Sequence, residues 1–294
     1  MTSSSSPCSS SAVPKIKAAI FDLDGTLLDT ESLSCRAVID SFALTNAPLQ
    51  PHIRSNLKQN GDLLPWELKR QILGLRGTEW VPMVLGYAQE KWGWQGYKVG
   101  ETELDWREGW QSKNKVIDSQ EMSEMRGIII STFIETWERR LGELCEEVVA
   151  CPGAPELVQA LFQHDNIALA IATSSRSAGV QKKRIKHEEM FKSFDHIVTG
   201  DDENVRNGKP APDIFLEAAR RLNVHPSECI VFEDSLQGAL SGKAAGCVVI
   251  AVPDKRMEKE DFLKNSDHVI PSMWHFDGHK WGVNVDMSKH NNTP

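Results

Sequence analysis

Ala18-Ala19-Ile20-Phe21-Asp22-Leu23-Asp24-Gly25-Thr26 is a four-residue apolar run that ends in two carboxylates one residue apart and a glycine. An apolar run without polar alternation is the pattern of a short strand buried on both faces. The pattern returns at Ile167–Ala172, Ile230–Phe232 and Val248–Val252. Behind the first three runs comes a polar residue able to do chemistry: Asp22, Thr173 and the Glu233–Asp234 pair.

Helical patterns lie between these runs. Leu157, Val158, Leu161 and Phe162 form one apolar stripe, and Ile214, Phe215, Ala218 and Leu222 form another. Pro212 suits a first helical position, and Asp213 complements the positive end of the helix dipole. Strands alternating with helices of this length predict an α/β fold: a doubly wound, mainly parallel, Rossmann-like sheet. Such sheets carry their active sites beyond the carboxyl ends of the strands. The three polar groups are therefore expected at one edge.

Residues 16–31 and 150–278 read as this α/β core. Residues 32–149 differ: they hold helical patterns, seven of the nine tryptophans and a polar interruption near 93–102. They predict an inserted all-helical cap domain over the sheet edge, with Cys151-Pro152-Gly153 marking the return to the core. Trp92, Trp94, Trp106 and Trp110 are expected to pack the cap. Gly238, Gly242 and Gly246, four residues apart, predict a helix with a small face close to the sheet. Residues 1–15 are Ser-rich and read as a disordered tail; 279–294 are polar and non-periodic and read as a loose C-terminal tail.

A formal net charge of -8 argues against a sequence-independent nucleic-acid binder, whose affinity comes from Lys and Arg on phosphates. The cluster Lys182, Lys183, Arg184 accordingly reads as a solvated helix face. No apolar run approaches the ~20 residues that cross a bilayer, so no membrane partner is expected. The six cysteines show no CxxC pair, which disfavours a zinc site and a disulfide framework. That usage, without a secretory or transit signal, predicts a cytoplasmic location.

Four segments taken together carry a resemblance. Phe21-Asp22-Leu23-Asp24-Gly25-Thr26, Ile171-Ala172-Thr173-Ser174-Ser175, Gly208-Lys209-Pro210 and Val231-Phe232-Glu233-Asp234-Ser235 resemble, in order, the four motifs of the haloacid-dehalogenase-like hydrolase superfamily, in its helical-cap phosphatase branch. Within that branch the core block from Ala172 to Asp254 is similar to the eukaryotic pseudouridine-5′-phosphatase family and its neighbours, the FMN and sugar-phosphate phosphatases. The resemblance implies a Mg²⁺-dependent phosphatase acting on a small phosphate ester, a sugar phosphate or nucleoside monophosphate. Asp22 would be the nucleophile that becomes an aspartyl-phosphate, and Asp24 the general acid and base. Thr173, Ser174 and Lys209 would hold the phosphoryl group. Asp22, the backbone carbonyl of Asp24, Asp234 and Glu233 would surround the metal. Asp24 argues against dehalogenation, which needs no leaving-group acid. A β-phosphoglucomutase-like mutase and an inactive binding module are the alternatives, although no catalytic carboxylate is missing. In the cap, Gly74-Leu75-Arg76 resembles a segment that reaches the substrate, so Arg76 is a candidate contact, as is Glu31 beside the hinge. Such an enclosed site needs no partner subunit, and a monomer is expected.

Overall fold

Strand β1 (Ala18–Phe21) lies in the interior of a six-stranded parallel sheet and shows why its sequence lacks alternation. Ala18 and Ile20 face one hydrophobic layer, shared with Ala170, Val231 and Val249; Ala19 and Phe21 face another, shared with Leu169, Ile230 and Phe232. Side chains on a strand alternate between faces, so two covered faces demand apolar residues at every position.

The computed structural model describes residues 15–44, 48–61, 63–96, 98–99, 102–103, 120–164 and 167–290. Met1–Pro14 of the expected N-terminal tail, and Trp106 and Trp110, lie outside them. Nine further strands are described: β2 (Leu28–Asp29), β3 (Lys98–Val99), β4 (Thr102–Glu103), β5 (Val149–Ala150), β6 (Ala168–Ala172), β7 (His196–Val198), β8 (Cys229–Glu233), β9 (Val248–Ala251) and β10 (His268–Val269). The main sheet runs β10-β9-β8-β1-β6-β7, all parallel, a doubly wound order that reverses direction on either side of β1. Its edge strands β7 and β10 escape a reading by hydrophobic pattern because three and two residues show no period.

Helix Ala154–Phe162 covers one face of the sheet; helices Asp213–Arg221 and Leu236–Ala244 cover the other. Phe21 stacks on Phe232 with ring centroids 4.6 Å apart, and Phe276 meets Phe232 edge-on at 5.0 Å. Of the three expected glycines, Gly238 and Gly242 lie on helix Leu236–Ala244, where a Cβ on Gly242 would come within 2.8 Å of Val249. Gly246 lies past the helix end at φ +83° with open space around it, so it belongs to the turn and not to the packed face.

The C-terminal segment, expected to be loose, packs into the core as far as Met287. Val283, Val285 and Met287 are buried. Gly278 N donates to Val285 O at 2.7 Å, and Met287 N donates to Phe276 O at 2.9 Å. The signal was a period-two alternation, with the polar Asn284 and Asp286 between the apolar residues, over too short a span to stand out.

The inserted segment has its own core. Helices Glu31–Leu44, Pro51–Gln59, Trp66–Ile72, Gly77–Trp92 and Gln120–Leu144 gather Val38, Phe42, Leu68, Val81, Leu85 and Phe133. Phe42 meets Trp92, Trp94 and Phe133 edge-on, so the first two of the four expected packing tryptophans do pack. The polar interruption carries the antiparallel pair β3–β4. Where the chain leaves and re-enters the core, β2 and β5 pair antiparallel, Leu28 opposite Ala150. Among the described residues no helix is long and apolar enough to cross a membrane.

If the C-terminal segment belongs to the core, Met287→Ala should cost about 2–5 kcal/mol of unfolding free energy. Urea denaturation measures this, and a loose tail would show no change.

Candidate functional site

Parallel pairing brings the strand ends into line. The register sets Phe21 beside both Ile171 and Phe232, and Asp22 N donates to Phe232 O at 3.0 Å. Asp22, Thr173 and Glu233–Asp234 therefore emerge side by side at the carboxyl ends of β1, β6 and β8, as strand polarity requires. Lys209 reaches them from the loop ahead of helix Asp213–Arg221. Its ammonium donates to Asp22 Oδ1 at 2.6 Å, to Glu233 Oε1 at 2.5 Å and to the Ala172 carbonyl at 3.3 Å.

Two glycines make the arrangement possible. Gly25 sits at φ +87°, and a Cβ there would lie 2.3 Å from Asp234 Oδ2, so the chain can turn this close to Asp234 only without a side chain. A Cβ on Gly238 would meet Glu233 Oε1 at 1.8 Å. Glu233 is fully buried under that helix, and its other oxygen accepts from Ser235 N and Ser235 Oγ, both at 3.0 Å.

Asp22, Glu233 and Asp234 bring carboxylate oxygens within 4.8 Å of one another. Of the expected metal set these three meet, but only Asp22 and Asp234 line the open cavity; Glu233 is engaged by Lys209 and Ser235. Asp234 also accepts from Thr26 Oγ1 at 3.1 Å. Three buried carboxylates face a single ammonium. Burial pushes the Asp22 carboxyl up to about 8 against the pull of Lys209, with Glu233 and Asp24 adding to the rise. Asp234 is raised well above the usual range by burial, and then by Glu233 and Asp22. Burial alone would lower Lys209, but Asp22 and Glu233 hold it above its ordinary value. Such a cluster lacks positive charge, and a divalent cation on Asp22 and Asp234 fits it.

Asp24 has a separate set of partners. It accepts from Thr30 Oγ1 at 2.8 Å, from Ser175 Oγ at 2.6 Å and from Lys183 Nζ at 2.5 and 2.7 Å; the Thr173 hydroxyl is more distant, at 3.5 Å. Burial pushes its carboxyl up, but Lys183 and these hydroxyls outweigh burial and hold it below the usual range. Lys183 was expected on a solvated face with its basic neighbours, yet it is buried. The reason is helical geometry: Lys183 lies three residues after the buried Val180, on the inward face of helix Ser177–Arg184. Thr30 and Lys183 lie outside every motif segment, although Val180 could have marked that face; Ser175 stands at the end of the second motif segment with no role assigned to it there.

The other expected residues are placed as follows. Ser174 Oγ donates to the Gly74 carbonyl at 3.3 Å, across the seam to the insertion. Arg76 lines the cavity, but its guanidinium donates to the carbonyls of Arg206 and Val205 at 3.2 and 3.3 Å. Glu31 is ion-paired with the buried Lys69, a residue that no motif marked. Burial would lower Lys69, but Glu31 outweighs it and holds the ammonium above its ordinary value. The cavity between insertion and strand ends has a volume of about 390 Å³. Cys151 donates to the Gly25 carbonyl, and burial pushes its thiol up, which leaves it inert as a nucleophile.

Known proteins resemble this chain in sequence and fold. The family model for haloacid dehalogenase-like hydrolase matches residues 16–246. A probable pseudouridine-5'-phosphatase of Drosophila melanogaster is 31% identical over 272 residues, covering 92% of this chain and 95% of its own. The mitochondrial (DL)-glycerol-3-phosphatase 1 of Arabidopsis thaliana is 29% identical, covering 92% and 75%. Among solved structures, a CbbY variant from Rhodobacter sphaeroides in complex with xylulose-(1,5)bisphosphate superposes with a TM-score of 0.63 at 25% identity, covering 88% of this chain and 95% of that one. This chain belongs to the haloacid dehalogenase-like hydrolase family.

The raised Asp22 carboxyl has a consequence for stability. In the unfolded chain an aspartate ionises near pH ~4, whereas the folded state keeps the Asp22 proton up to about pH 8. The native state then binds more protons, so the Asp22 contribution to stability falls as pH rises through that window. Without divalent metal, the Tm of Asp22→Asn relative to the unsubstituted protein should climb from pH 5 to pH 8. A pH-independent difference would contradict the charge balance described above.

Proposed function

We propose that this member of the family is a Mg²⁺-dependent phosphomonoester phosphatase acting on a small phosphorylated metabolite. The observation that carries the reading is the meeting of Asp22, Lys209, Thr173 and Asp234 at the ends of adjacent parallel strands, against a cavity of metabolite size. Supporting it, both curated relatives described above bear the names of small-molecule phosphatases.

Phosphate monoesters hydrolyse extremely slowly without catalysis, so one group cannot suffice. In this reading an Asp22 oxygen attacks phosphorus and forms an aspartyl-phosphate as the bond to the leaving oxygen breaks. Asp24 supplies the proton to that oxygen. Water then attacks the same phosphorus, Asp24 takes its proton, and the Asp22 carboxylate leaves with phosphate released. Lys209 and the Thr173 hydroxyl stabilise charge on the phosphoryl oxygens. Glu233, buried and bonded to Lys209, holds that ammonium in place and does not reach the cavity. Asp22, Asp234 and the Asp24 carbonyl would hold Mg²⁺, which when bound screens the repulsion between carboxylate and phosphate dianion. Lys183, Ser175 and Thr30 keep Asp24 ionised, the form that accepts a proton from water. A phosphoryl dianion nearby raises its proton affinity for the acid step.

The protein should hydrolyse p-nitrophenyl phosphate with Mg²⁺ and lose that activity in EDTA. Asp22→Asn should reduce the rate by roughly 10³-fold or more, because a nucleophile has no substitute. Equal phosphate release from the variant would reject the reading. With β-glucose 1-phosphate the expected products are glucose and phosphate; glucose 6-phosphate would indicate a mutase.

A further inference from the structure

Lys209 is well held at its ammonium, by Asp22, Glu233 and the Ala172 carbonyl, but its backbone belongs to a long irregular loop. The loop, residues 199–212, joins β7 to helix Asp213–Arg221. Contacts within the core anchor it at two points. Asp202 is ion-paired with Arg221, and Asn207 N donates to Asp213 Oδ2 at 2.9 Å. Val205 and Arg206 lie between these anchors, and there the insertion takes hold. Arg76 Nη2 donates to Val205 O at 3.3 Å, and Arg76 Nη1 donates to Arg206 O at 3.2 Å. A guanidinium is a rigid planar fork, so one side chain fixes two consecutive peptide units.

The seat of that fork is Gly208, the residue before Lys209. A Cβ there would lie 2.6 Å from Arg76 Nε, 2.8 Å from Cδ and 3.0 Å from Cγ. Gly208 is not among the glycines at positive φ, so no turn demands a glycine at this position. Clearance for the Arg76 side chain does. Arg76 Nε is buried with no hydrogen-bond partner, a cost that a side chain free to extend into water would avoid. The Arg76 backbone is fixed independently, because its N–H donates to Glu79 Oε2 at 2.9 Å at the start of helix Gly77–Trp92. The fork therefore joins a rigid element of the insertion to the loop that delivers Lys209.

We infer that Arg76 is a positioning residue for phosphoryl transfer, clamping the 205–206 backbone so that Lys209 meets Asp22, with Gly208 as the bare seat of the clamp. The inference rests on the phosphatase reading above. It gives the insertion a share in the transfer step that does not depend on the leaving group, in place of the expected substrate contact by Arg76.

The test uses the full chain carrying Arg76→Met, which removes the fork and leaves the backbone bond to Glu79. Without Mg²⁺, hydrogen–deuterium exchange in the 199–212 segment should quicken by about tenfold. With Mg²⁺, kcat/KM for p-nitrophenyl phosphate and for glycerol 3-phosphate should fall by the same factor, about 10- to 100-fold, the scale of a slightly misplaced group. The Ki of orthovanadate, a phosphoryl mimic with no leaving group, should rise by about tenfold. Gly208→Ala should reproduce these losses, and Arg76→Met together with Gly208→Ala should lose little more than either alone. Unchanged exchange in Arg76→Met overturns the inference. So does a loss confined to glycerol 3-phosphate with an unchanged vanadate Ki, the mark of a leaving-group contact, and so do additive losses in the double variant. A role in stability alone would lower Tm with kcat/KM and Ki unchanged, which also overturns it. In each of these cases hydrolysis of p-nitrophenyl phosphate by the unsubstituted protein leaves the phosphatase reading intact. No hydrolysis by the unsubstituted protein removes that reading, and the inference falls with it.

Discussion

The ammonium of Lys209, 3% exposed, lies between Asp22 and Glu233 at the mouth of the parallel sheet, and the rest of the site is arranged around it. Three carboxylates brought out of water by the ends of β1 and β8 repel one another, and a single cation does not balance them. The surplus appears as raised proton affinity on Asp22 and Asp234. A site left short of positive charge in this way is prepared for a divalent ion, and a protein that binds one there exchanges a proton for it. Ser235 and the bare backbone of Gly238 brace Glu233 from behind, which fixes Lys209 in turn.

Asp24 belongs to a different electrostatic neighbourhood although it is two residues from Asp22. Lys183, Ser175 and Thr30 surround it with donors, so the two aspartates are driven in opposite directions, one toward its acid form and one toward its base form. Attack by Asp22 and proton donation by Asp24 need the reverse, and a divalent cation on Asp22 and a phosphoryl dianion beside Asp24 would each push in that direction. The inserted helices complete the enclosure. Arg76 reaches the loop ahead of Lys209, and Gly74 accepts from Ser174, so the insertion touches two of the motif-bearing loops directly.

Legibility followed chain proximity and strand polarity. Asp22, Thr173, Glu233 and Asp234 could be found because each follows a buried apolar run, and the carboxyl ends of parallel strands share an edge whatever the intervening chain does. Lys209 could be found only through the motif resemblance. Lys183 and Lys69 could not be found at all, since each owes its place to packing between separate segments: Lys183 is 159 residues from Asp24. Thr30, six residues from Asp24, and Ser175, at the end of a motif segment, lie close to legible residues but carried no role of their own. The C-terminal strap was missed because Val283, Val285 and Met287 give too short an alternation to outweigh their polar neighbours.

The amino-acid sequence alone determined the parallel sheet, the insertion between its first and second long strands, and the edge at which the chemistry gathers. Hydrophobic period and strand direction are local properties, and they leave little choice. Tertiary structure alone decided which charges meet: that Glu233 turns inward to Lys209, that Lys183 is a buried partner of Asp24 and not a solvated cation, and that Glu31 faces Lys69. Ion pairing depends on distance and dielectric between residues remote in the chain, and neither quantity exists until the fold has closed around them.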